Sequence, residues 1–101
     1  MGQSLLEQCV RLAETGTRAA VDALMERLTM EMTIAESKIL DYALSVVRTE
    51  EGFQAMEHYL FHGTQIQRNY ATLYFIRREE FPLVQKAYDM GLIDKLQAFT
   101  R

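Results

Sequence analysis

His58 and His62 stand four residues apart in a stretch that reads as helix from Glu51 to His62, so one face of that helix can carry both imidazoles. Two imidazoles one turn apart are what a metal ion takes from a helix, and Gln54 and Glu51 fall on the same side. The residue after His58 is Tyr59, so the His-Glu-x-x-His pattern that supplies a hydrolytic base is absent, and no third ligand follows in sequence. The simpler reading places His58 in solvent and His62 at a helix C-terminus, where the dipole favours a partly protonated ring. Metal binding through His58 and His62 is therefore the lesser alternative.

The next helix offers a broader set of polar groups. Gln65, Arg68, Asn69 and Thr72 fall at i, i+3, i+4 and i+7 and form one polar stripe, while Ile66, Tyr70, Leu73, Tyr74, Phe75 and Ile76 crowd the other side. Gln, Arg and Asn are the side chains that read base edges bidentately, so a helix entered by a short Gly63-Thr64 turn has the makings of a recognition helix. Tyr59, four before Gly63, stands where a helix-turn-helix needs a small residue. Tyr59, Tyr70 and Tyr74 carry hydroxyls that must find an acceptor or water, which suits them to the rim of a groove. The expected interaction face is thus Tyr59, Gln65, Arg68, Asn69, Tyr70, Thr72 and Tyr74.

Composition narrows the choice. Eleven basic against fourteen acidic residues leave a charge of −3, which disfavours a nucleic-acid partner because binding phosphates needs a cationic surplus. The glycines are isolated at 2, 16, 52, 63 and 91, so no phosphate-cradling loop exists, and neither a nucleophile elbow nor a Ser-His-Asp order is present. Cys9, the only cysteine, lies on an apolar stripe and reads as inert core. No catalytic residue and no cofactor are expected. The opening Met1-Gly2-Gln3-Ser4-Leu5-Leu6 lacks the basic and apolar regions of a signal peptide, and no apolar run approaches a membrane span. A cytoplasmic location is expected.

The elements that must position these residues announce themselves by their starts. Ser4-x-x-Glu7, Thr33-x-x-Glu36, Thr64-x-x-Gln67 and the Asp variant Asp94-x-x-Gln97 each pair a capping oxygen with a Glu or Gln three residues on. From 4 to 33, 64 and 94 the steps are 29, 31 and 30 residues, each long enough for two helices and two turns. The pattern predicts an all-α single domain over 1–101, with six helices plus a short C-terminal one. They would form three stacked antiparallel hairpins over 4–32, 33–63 and 64–93, as a superhelix or a compact bundle, with the terminal helix over 94–101. The first hairpin would run from about Leu5 to Glu14, break at Thr15-Gly16-Thr17, and continue from Arg18 to Met32, with Met25, Met30 and Met32 filling core gaps. At His62-Gly63-Thr64 the glycine would take a left-handed or similarly restricted conformation that a Cβ would strain. Pro82 suits a helix first turn, and Arg77-Arg78 and Glu79-Glu80 complement the dipoles of the two helices they separate.

Aligned on their caps, the units bring together Val10, Ile39 and Tyr70; Ala13, Tyr42 and Leu73; and Leu24, Phe53 and Val84. In this the chain resembles helical-hairpin repeat families such as HEAT. Phe81-Pro82-Leu83-Val84-Gln85-Lys86-Ala87-Tyr88-Asp89-Met90-Gly91 is similar to the ankyrin second helix, with Glu79 where that family has its inter-helix glycine and without the Thr-Pro-Leu-His signature. The resemblance implies a helical scaffold that binds a protein partner on one surface, and it implies no catalytic residue. The function expected is a protein-interaction or scaffold module that self-associates, a homodimer being the simplest outcome, with nucleic-acid binding by the 65–78 helix as the alternative.

Overall fold

The computed structural model describes residues 2–99 and is all-α, with seven helices and no strand among those residues. They are α1 (Leu5–Thr15), α2 (Arg18–Glu26), α3 (Ile34–Val46), α4 (Glu50–His62), α5 (Gln65–Arg77), α6 (Phe81–Asp89) and α7 (Lys95–Phe99). Positions 100 and 101 of the expected terminal helix lie outside the described residues.

All four expected caps are present. Thr33 and Thr64 form reciprocal boxes, in which the hydroxyl accepts the N3 backbone N–H and the N3 side chain accepts the cap's own N–H. Asp94 and Gln97 do the same at 2.8 and 2.9 Å. Ser4 accepts the Glu7 N–H, but its hydroxyl, rather than its backbone N–H, reaches the Glu7 carboxylate. Thr17 caps α2, and Thr49, which carries no Glu or Gln at N3, caps α4 by accepting the Gly52 N–H at 2.9 Å.

Helix ends show where backbone chemistry departs from expectation. α2 stops at Glu26 rather than Met32: the Arg27 and Leu28 N–H groups tighten onto carbonyls three residues back, and the Thr29 hydroxyl accepts the Glu31 N–H in a local turn that competes with helix. Met25 is fully buried, but Met30, beyond that stop, is 87% exposed and fills no core gap. Gly63 is not left-handed; the only glycines with positive φ are Gly16 at 64° and Gly91 at 74°. The chain turns instead at Thr64, whose extended backbone (φ −67°, ψ 169°) separates α4 from α5. Gly63 serves by lacking a Cβ, which would stand 2.6 Å from the Tyr59 carbonyl oxygen and 3.1 Å from Gln67 Cβ.

α5 and α6 both end in Schellman motifs. After α6, Leu92 N–H reaches the Ala87 carbonyl and Gly91 N–H the Tyr88 carbonyl; after α5, Glu80 N–H reaches Phe75 and Glu79 N–H reaches Ile76. The left-handed residue of the second motif is Glu79, at φ 59°. Glu80 begins α6 without a side-chain cap, while Pro82 occupies its first turn.

The chain divides into two compact units, Met1–Ala55 and Met56–Arg101, with α4 contributing to both. In the first, α1 packs mainly on α3 and also on α2, burying Cys9, Ala13, Val21, Leu24, Met25, Leu40 and Leu44. Each fully buried large side chain contributes roughly 1.5–3 kcal/mol. The loop between α1 and α2 fits closely in this unit: Thr49 donates to the Gly16 carbonyl, and the Glu51 carboxylate accepts the Arg18 N–H at the start of α2. In the second unit α5, α6 and α7 pack pairwise, burying Tyr74, Phe75, Val84, Ala87 and Ala98.

Candidate functional site

α5 carries the polar stripe read from the sequence, and the structure puts it under the C-terminal segment of the second unit. The Arg68 guanidinium donates to the Leu92 carbonyl at 3.2 Å and to the Gly63 carbonyl at 3.0 Å. Each acceptor lies just past a helix end, where carbonyls lack intrahelical partners and a cation complements the dipole. Its Nε is buried without a hydrogen-bond partner. Asn69 accepts from the Gln97 side-chain amide at 3.0 Å. Thr72, 1% exposed, donates its hydroxyl to the Arg68 carbonyl one turn back.

Of the seven expected surface residues, Gln65 is exposed, and Tyr59, Arg68, Asn69 and Tyr70 are partly buried. Thr72 and Tyr74 are buried and offer no surface to a partner. Tyr74 therefore does not rim a groove: its ring packs edge-on to Phe75 and carries the Arg78 guanidinium 3.7 Å above its centre. Within the stripe, Arg68 and Asn69 hold Leu92 and Gln97, Arg68 also reaches Gly63, Thr72 bonds back to its own helix, and Gln65 faces water.

Beside the stripe lies an apolar surface. Asn69, Thr72, Leu73, Ile76, Leu96 and Gln97 line a groove of about 310 Å³ between α5 and α7. Leu96 stands at its edge with 78% of its surface exposed. A neighbouring cleft of about 280 Å³, lined by Gln65, Arg68, residues 91–94 and Gln97, is polar. Against protein-family models, curated proteins and solved structures, this chain matches nothing.

Leu96 and Gln97 are not among the surface-forming residues expected from the sequence, which places Leu73 and Ile76 only on the apolar side of α5. One signal was available for Gln97: a Gln rather than a Glu at N3 spends its carbonyl on the cap and keeps an amide N–H free for Asn69. The first unit has its own groove of about 370 Å³, formed by Leu6, Glu7, Val10, Arg11, Glu14 and Tyr42, with Tyr42 58% exposed. Its rim carries three charged side chains that are better solvated by water.

His58 and His62 are both exposed, with ring centres 5.1 Å apart and planes tilted by 37°. Among the described residues no three His, Cys, Asp or Glu side chains group to hold a metal. Glu51, expected on the histidine side, accepts the Arg18 N–H instead. Cys9 is wholly buried; desolvation pushes its thiol up from the ordinary range, with Arg27 opposing. No helix among the described residues is long and apolar enough to cross a membrane.

Proposed function

We propose that this chain is a non-catalytic protein-interaction module that self-associates through the groove between α5 and α7. One observation carries the reading: a protruding apolar side chain, Leu96, stands beside an apolar groove floored by Leu73 and Ile76. A two-fold interface needs one patch to be its own complement, and a knob next to a hole meets that need, since each copy's Leu96 can enter the other's groove. Asn69 and Gln97 at the margin supply the polar rim that such interfaces carry. A net charge of −3 gives only weak repulsion between copies.

The nucleic-acid alternative loses support from the same residues. Arg68 is committed to two carbonyls and Asn69 to Gln97, so reading base edges would require the C-terminal segment to leave α5. Sedimentation velocity from micromolar to millimolar concentration tests the proposal. The wild type should shift towards a dimer, and Leu96→Glu should remain a monomer with unchanged helical circular dichroism. A wild type that stays monomeric across that range would remove the reading.

A further inference from the structure

We infer that His58 and His62 form a two-imidazole clamp for a divalent transition-metal ion of the copper, nickel or zinc class on the exposed face of α4. The residues are one helical turn apart, so the backbone fixes the spacing of their Cβ atoms. A tetrahedral ion such as zinc lies about 2.0–2.1 Å from each ligating nitrogen, and the ring centre roughly 1 Å beyond it, which puts two ring centres about 5 Å apart. The right angle of a tetragonal copper or nickel ion draws them to roughly 4.5 Å, a small rotation of exposed rings. The observed separation is 5.1 Å. The ring centres thus already stand at a separation that suits one ion, and binding need order only two side chains, each with two torsions.

Both rings are exposed, so an ion can reach them without unfolding anything, and its remaining positions stay open to water. With no His, Cys, Asp or Glu grouped with the pair as a third ligand among the described residues, the clamp is bidentate. Imidazole nitrogen suits copper, nickel and zinc, and among divalent ions copper should bind most tightly. Magnesium and calcium, which take oxygen ligands, should not compete. This clamp is independent of the α5–α7 groove, to which neither histidine contributes.

The test is isothermal titration of copper, nickel and zinc chlorides into the tag-free full chain, beside His58→Ala and His62→Ala. One ion per chain should bind the wild type in the order copper, then nickel or zinc, with magnesium silent. Loss of a ligand should cost at least what loss of an outer-shell partner costs, about tenfold to a hundredfold in affinity. Both histidines are exposed, so circular dichroism of the variants should match the wild type. In nuclear magnetic resonance spectra, paramagnetic copper should broaden the His58 and His62 ring signals first. Equal affinity in wild type and both variants, half an ion per chain, or broadening centred elsewhere would overturn the inference.

Discussion

Glu79 is the residue at which sequence and backbone disagree most sharply. It holds the left-handed position of a Schellman motif at φ 59°, where the equivalent residue after α6 is Gly91. A Cβ in that region costs about 1–2 kcal/mol, and glycine's greater unfolded-state freedom returns part of it. Glu79→Gly should therefore stabilise the protein, by up to about 1 kcal/mol, and raise its urea midpoint; a lower midpoint would show that the carboxylate contributes more than the backbone loses. Glu36 makes a different residue-scale prediction. The Thr33 backbone N–H, and after it the Thr33 hydroxyl, hold its carboxyl below the ordinary value of 4.5. A lowered folded value means stability that is present above that pH and lost as pH falls through the folded value. Wild type should exceed Glu36→Gln in thermal stability at pH 7, and the gap should close as pH falls below 4.5 and the carboxyl becomes neutral like the amide. A gap unchanged by acid would contradict it.

Among the elements, α7 depends most on its neighbours. A helix of five residues is far too short to persist alone, so its order comes from Asp94 capping, from Ala98 buried in the core, and from the grip of α5. Arg68 supplies much of that grip by joining the carbonyls that follow α4 and α6. Arg68→Met keeps an unbranched stem, though a shorter one, and removes both bonds; each charge-assisted bond is worth about 1.5–3 kcal/mol. Amide exchange over residues 92–99 should accelerate well beyond that in α1 and α3. Uniform acceleration along the chain would mean that Arg68 supports the whole fold rather than this segment. These helices were legible in the sequence because caps are local: Ser4, Thr33, Thr64 and Asp94 each satisfy N–H groups within three residues. The stop of α2 at Glu26 was not, since it depends on buried Leu28 and on the Thr29 turn. Nor was the fate of the α5 stripe. Its partners include the backbone carbonyls of Gly63 and Leu92, which leave no mark in residue identity, and a polar helix face reads the same whether water or main chain covers it.

At the scale of the whole molecule, α5 binds Gly63, Leu92 and Gln97 through Arg68 and Asn69 and shares with α7 the apolar groove through which we propose that copies associate. Of the residues expected on the interaction face, Tyr74 is buried, while Asn69 and the buried Thr72 line the groove together with Leu73, Ile76, Leu96 and Gln97. A dilution series of nitrogen-15 amide spectra tests this most directly, because it reports both whether copies associate and where. Between millimolar and micromolar protein, the amides of residues 69–76 and 95–97 should shift together along one binding curve, and those lining the Leu6–Tyr42 groove should stay still. Spectra that do not change with concentration, or shifts gathered around Leu6, Val10 and Tyr42, would contradict it.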